Sequence, residues 1–145
     1  MDENINTVES VLQVQGGIYI DECVFKMNSD VLHVDSNYEL NYNRTITRID
    51  DNTYRVSLRC NVLSADKKSI EIHARAVAIF SVDAPDPKTK NSLISKNTVA
   101  ILFPYVRSQI ALVTAQTGIP QVVIPIVNIA SMFKDMPLPG EDKEE

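Results

Sequence analysis

The chain has 145 residues, a formal charge of -5 and a pI near 5.0. That length fits one domain able to bury roughly 70% of its unfolded surface, and the acidic balance excludes the clustered Lys and Arg used on phosphate backbones, so nucleic acid is not an expected partner. The first nine residues are polar and acidic where a secretory signal needs basic residues and then an apolar run, and no apolar run reaches the ~20 residues that cross a bilayer, so a cytoplasmic protein without a membrane span is expected.

Residues 1–10 are expected to form a flexible amino terminus, residues 11–136 a single domain and residues 137–145 an acidic tail. Residues 11–25 read as a first strand with a bulge at Gly16-Gly17. Residues 28–36 read as a loop with a short apolar patch at Val31 and Leu32. Residues 38–49 place Tyr38, Leu40, Tyr42 and Ile46 on one face and Glu39, Asn41, Asn43 and Thr47 on the other, as a half-buried strand requires. Asp50-Asp51-Asn52 is turn chemistry, and beyond it Tyr54, Val56, Leu58, Cys60 and Val62 alternate with Arg55, Ser57, Arg59 and Asn61, which predicts a hairpin. After a turn over residues 64–69, a third long strand over residues 70–82 is apolar at Ile70, Ile72, Ala74, Ala76, Ala78 and Phe80, with Glu71, His73 and Arg75 opposite. From Val77 onward both faces are apolar, which implies cover by helices on one side and by another subunit on the other.

Residues 83–91 read as a polar connection, with the long helix starting between Ser92 and Thr98, each a plausible cap. Val99, Leu102, Phe103, Val106, Ile110 and Val113 recur at helical spacing. Pro104 is expected to kink or restart this helix near residues 100–103, and Gly118 to end it as a left-handed cap. Residues 119–127 are strongly apolar, yet Pro120 and Pro125 deny them a helix or a central strand. Asn128 is expected to cap a short helix from Ile129 to about Asp135, halted by Pro137 and Pro139. The order predicts an α+β fold: a four-stranded antiparallel sheet, a long helix, a proline-broken crossover loop and a short C-terminal helix.

Catalysis finds no foothold. The two histidines are His33, in a loop, and His73, read as a solvated residue on a polar strand face, and neither has a companion set. Cys23, Cys60 and these histidines lie at spacings unlike any common zinc module, and none of the four glycines sits in a phosphate-loop fingerprint. No enzyme, metal or other cofactor is expected. The cysteines are able in principle to meet across neighbouring strands, but reduced core residues are the favoured reading. Asn43-Arg44-Thr45 fits a glycosylation triplet and reads as strand sequence.

Ile101-Leu102-Phe103-Pro104-Tyr105-Val106-Arg107, Thr117-Gly118-Ile119-Pro120-Gln121 and Val127-Asn128, ahead of a short helix ending Met132-Phe133, resemble the SecB protein-export chaperones. Leu12-Gln13-Val14-Gln15 with Ile18-Tyr19, Tyr54-Arg55-Val56-Ser57-Leu58-Arg59 and Ile79-Phe80-Ser81-Val82 are similar to strands of that family. The resemblance implies a dimer of dimers assembled largely through the long helix, with Leu102, Tyr105, Val106, Gln109, Ile110 and Val113 at the interface. It also implies an ATP-independent holdase for unfolded preproteins. Part of the apolar set Ile119, Val122, Val123, Ile124, Ile126, Val127, Ile129, Met132 and Phe133 must cover the sheet, about half of it in any arrangement. The remainder is expected to line a groove for extended chains, where apolar burial is indifferent to sequence.

The positions matching the docking surface for the export motor SecA are Glu22, Lys26, Glu71 and His73. Lys26 and His73 stand where carboxylates are expected, and Glu71 where an apolar residue is expected. These departures favour a SecA-independent SecB-like chaperone whose client is the antitoxin of a toxin–antitoxin system. Two readings from other classes stay open: a small-molecule or lipid carrier, and a structural oligomer subunit.

Overall fold

The computed structural model of the chain describes residues 11–28, 30, 37–66 and 69–140. The expected flexible amino terminus, the Val31-Leu32 patch, His33 and the tail after Gly140 lie outside the described residues.

Strict alternation produces the sheet. On β3 (Thr53–Ser64), Tyr54, Val56, Leu58, Cys60 and Val62 are exposed by 1% or less, and the residues between them face the other way. β1 (Val11–Met27), β2 (Tyr38–Asp50) and β4 (Ile70–Asp83) join β3 in one antiparallel sheet of order β1-β4-β3-β2. Asp50-Asp51-Asn52 turns the β2–β3 hairpin, with the Asn52 N–H donating to Asp50 Oδ1 at 3.0 Å.

β1 slips register twice. Gly16, at φ 82, supports the first slip, between Gln15 and Tyr19, because a left-handed φ costs glycine nothing. The second, between Ile20 and Glu22, leaves Asp21 as an extra residue and inverts the alternation. Ile20 opposes Ala76 before the slip and Cys23 opposes Ala74 after it, both on the inner face.

The topology rules out a pairing of the two cysteines. Cys23 and Cys60 oppose Ala74 from its two sides, so β4 lies between them. Two strand spacings are roughly 9 to 10 Å, beyond the reach of a disulfide. Both thiols are free, and Cys23 is exposed where a core position was expected.

The long helix begins earlier than its expected caps. It runs continuously over Pro87–Ala115, as α1 (Pro87–Ser92), a π turn (Leu93–Asn97) and α2 (Thr98–Ala115). Asp86 is the cap, its Oδ1 accepting from the Thr89 N–H at 2.7 Å, with Pro87 in the first turn. Pro104 does not restart the helix. The carbonyl it deprives of a donor belongs to Ala100, which is exposed and open to solvent. The irregularity falls at the π turn, where the Thr98 N–H reaches back to Leu93 O. The helix ends at Ala115, and Gly118, at φ 89, turns the chain two residues beyond the cap at Gln116.

By length and composition this helix is able to cross a membrane, contrary to the expectation that no segment qualifies. Its apolar stripe is occupied otherwise: Val99, Leu102, Val106 and Ile110 are fully buried in the core shared with the inner face of the sheet. Among the described residues, no helix lies on the opposite face of the sheet.

Candidate functional site

After Gly118 the chain turns back and runs antiparallel beside the whole helix. Thr114 Oγ1 accepts from the Val122 N–H at 2.9 Å, the Gln121 amide donates to Ala111 O at 3.0 Å, and Arg107 Nε donates to Ile124 O at 2.6 Å. Farther along, Asn91 Nδ2 donates to Met136 O. Prolines 120, 125, 137 and 139 forbid regular structure on this ribbon, and the helix side chains Thr114, Arg107 and Asn91 tie its backbone at three points. The expected C-terminal helix is reduced to a 3-10 turn, Ile129–Met132, because nothing sustains it as far as Asp135. Asn128 serves it through its carbonyl, which accepts from Ser131 N at 3.1 Å, and not through its side chain.

The ribbon sorts its apolar residues into two sets. Ile119, Val122, Ile124 and Ile129 are buried in the core, and so is Leu138, at 2% exposure. Val123, Ile126, Val127 and Met132 face solvent, Ile126 at 82%, and Phe133 is half-buried. The ribbon therefore presents an apolar row on its outer side. On the helix, Leu102, Val106 and Ile110 point into the sheet and are fully buried within the chain. Tyr105 and Leu112 are exposed, and Gln109 and Val113 are half-buried.

Arg44 holds the far end of the ribbon, a role invisible in its triplet. It lies on the inner face of β2, in register with Leu58. Its Nη1 donates to Ser95 O in the π turn and to Lys134 O at 3.3 Å, its Nη2 lies 3.0 Å from Met136 Sδ, and its guanidinium stacks 4.8 Å from the Phe133 ring centroid. Burial lowers its pKa, with nearby Asp135 opposing the shift. On the same inner face, Tyr42 opposes Cys60. Burial, then the charge and hydrogen bond of Cys60, raise the Tyr42 hydroxyl to about 12. Burial likewise raises the Cys60 thiol to about 12.

The open face of the sheet gathers Glu22, Lys26, Glu71 and His73. Lys26 opposes Glu71, and Glu22 Oε1 lies 3.8 Å from His73 Nε2 and 3.7 Å from Arg59 Nη1. Next to it, Arg75 grips the Asp21 carboxylate with two bonds, of 2.9 and 3.1 Å. His73 is not the solvated residue expected from the alternation. It is buried, at 9% exposure, between Val24 of β1 and Asn61 of β3. A hollow of about 460 Å³ on the β2–β3 side of this face is lined by Glu39, Leu40, Asn41, Asn43, Asn61 and Leu63. Among the described residues, no three His, Cys, Asp or Glu side chains gather as a metal site requires.

Residues 6–137 match the family described as preprotein translocase subunit SecB. The chain belongs to the SecB family. A SecB protein-export protein of Saccharophagus degradans is 30% identical over 94 residues, 63% of this chain and 56% of that protein. A second, from Xanthomonas euvesicatoria, is 23% identical over 124 residues, 81% of this chain and 73% of the relative. An uncharacterized protein of Methanocaldococcus jannaschii is 49% identical over 49 residues, 34% of this chain and 30% of that one. The chain thus spans 30% and 56% of the archaeal and the Saccharophagus relative, respectively. The SecB fold recurs in the Mycobacterium tuberculosis SecB-like chaperone Rv1957, solved in complex with a peptide from the HigA1 antitoxin. The TM-score is 0.62 at 12% identity, over 80% of this chain and 87% of that one. The antiparallel sheet followed by a long helix is therefore the SecB-like architecture expected from the sequence.

Proposed function

We propose that this chain is a cytoplasmic, ATP-independent holdase that binds non-native polypeptides along the apolar row of its ribbon. The observation that carries the reading is Ile126 at 82% exposure, with Val123 and Val127 on a backbone that prolines keep out of regular structure and Met132 on the 3-10 turn that follows. Fully burying an exposed apolar side chain contributes about 1.5–3 kcal/mol, and these four are 40–82% exposed, so together they supply roughly 4–7 kcal/mol, no more than the about 4–15 kcal/mol that association costs. A single row therefore grips a client weakly, and a dimer of dimers would gain its hold by presenting several rows at once. Exposed Tyr105 and Leu112 support assembly through the helix. The test is light scattering of an aggregating client without ATP, with suppression expected at equimolar chaperone and none seen if the reading is wrong.

A second reading concerns the partner. Asp21 is held by Arg75, and the Glu22 carboxylate lies 3.7 Å from Arg59 with its Oε1 buried and without a hydrogen bond, so the surface where SecA would dock presents fewer free carboxylates beside the Lys26 and His73 that replace two more. This favours a chaperone of an antitoxin over one that feeds preproteins to SecA. Titration with SecA separates the two: saturable binding lost in Glu22→Gln restores the export reading. The hollow on the open sheet face, where Glu39 and three asparagines stand beside Leu40 and Leu63, is open to solvent rather than enclosed, which gives a lipid or small-molecule carrier little support.

A further inference from the structure

We infer that residues 134–140 are a built-in competitor: a displaceable strap that fills one apolar slot of the client-binding surface with Leu138. The inference rests on the holdase reading and concerns how that same surface is regulated. Three observations carry it. Leu138 is buried to 2% exposure, with Pro139 half-buried beside it and Lys134, Asp135, Met136, Pro137 and Gly140 exposed, so the segment inserts one side chain fully, as an extended client would. Its backbone is held by other means than a ladder. Among the described residues no backbone-to-backbone hydrogen bond reaches residues 134–138; the fastenings are Arg44 to Lys134 O and Met136 Sδ, Asn91 to Met136 O, and the Lys96–Asp135 pair at 3.6 Å. A segment tied by side chains and one apolar anchor opens at low cost. Finally, the strap continues directly from Met132 and Phe133, so the slot it vacates extends the exposed row toward the inner face of β2, where Gly140 meets the Arg48 side chain.

An occupied slot lowers apparent affinity by the fraction of molecules in which the strap is open. Weakening the strap therefore tightens client binding, the opposite of what loss of a binding residue does. The test uses the full chain and reduced, carboxymethylated lysozyme as a permanently unfolded probe. Leu138→Ser is expected to bind the probe about tenfold more tightly, and Asn91→Ala, which loosens the strap without emptying the core, to shift affinity in the same direction. A synthetic peptide of sequence KDMPLPG is expected to compete with the probe on Leu138→Ser. In methyl-labelled wild type, the Leu138 signals are expected to move toward unfolded values as the Ile126 and Met132 signals shift. Probe binding that perturbs Ile126 and Met132 while Leu138 stays buried overturns the strap and leaves the holdase standing. So does unchanged or weaker binding by Asn91→Ala, with its melting showing an intact fold. Absence of probe binding by all three chains overturns both.

Discussion

The Tyr42–Cys60 pair shows how burial turns into pH dependence. The thiol rises from 9.0 to about 12 and the hydroxyl from 10.0 to about 12, because the inner face of the sheet disfavours their charged forms. Raised pKa values stabilise the fold fully below the unfolded values, and that contribution is lost as pH climbs through the folded ones. Urea melts should therefore show stability falling above about pH 9 with a slope approaching about 1.4 kcal/mol per pH unit for Cys60, and Cys60→Ala should flatten it. An unchanged slope would mean the thiol is not buried in solution. The same burial predicts that a thiol reagent labels exposed Cys23 in the native chain and reaches Cys60 only on unfolding. Arg44 makes a different demand, for a planar fork: two carbonyls, a sulfur and an aromatic ring surround one guanidinium. Lysine offers charge without that geometry, so Arg44→Lys should lower the melting temperature nearly as much as Arg44→Ala. Full rescue by Lys would show that charge alone suffices.

At the scale of elements, legibility followed periodicity. β3 and β4 keep one alternation from end to end, and their inner residues could be read one by one. β1 could not be read that way, because the extra residue at Asp21 reverses the pattern within one strand. The start of the helix was missed although Asp86-Pro87 spells a cap and a first-turn proline; the polar run through Lys88 and Lys90 has no apolar stripe to announce a helix, and α1 buries nothing. The ribbon's break with regular structure was legible from its prolines, whereas which of its residues turn inward depends on hydrogen bonds from Arg107, Thr114 and Asn91 that no local pattern encodes. The Asp86 cap is directly testable. Its bonds to the Thr89 N–H and hydroxyl hold its pKa below the ordinary value, so the stabilisation exists above the unfolded pKa and disappears as pH falls through the folded one. Asp86→Ala should speed amide exchange at Thr89 and Lys90 at neutral pH, while Ser92→Ala should not. Equal effects from both would move the helix start back to the later site.

The whole molecule buries part of its apolar surface in its own core and leaves part exposed. The stripe of Leu102, Val106 and Ile110 faces the sheet, so the resemblance assigned to assembly three residues that a single chain has already consumed. What remains on the helix for another copy is Tyr105 at 47% exposure, Leu112 at 56%, and the partly open Gln109 and Val113. On the proposed assembly through the helix, this separation makes assembly and stability independently mutable. Leu102→Ala should cost about 2–5 kcal/mol of folding stability and change association only through unfolding. Leu112→Ser should leave the melt nearly unchanged, since exposed substitutions usually stay within about 0.5 kcal/mol, yet shift sedimentation toward smaller species and weaken holdase activity by reducing the rows that act on one client. If Leu112→Ser sediments like wild type while Leu102→Ala dissociates without unfolding, the buried stripe must open in the assembly, and the packing of helix on sheet described here would be the state of the isolated chain alone.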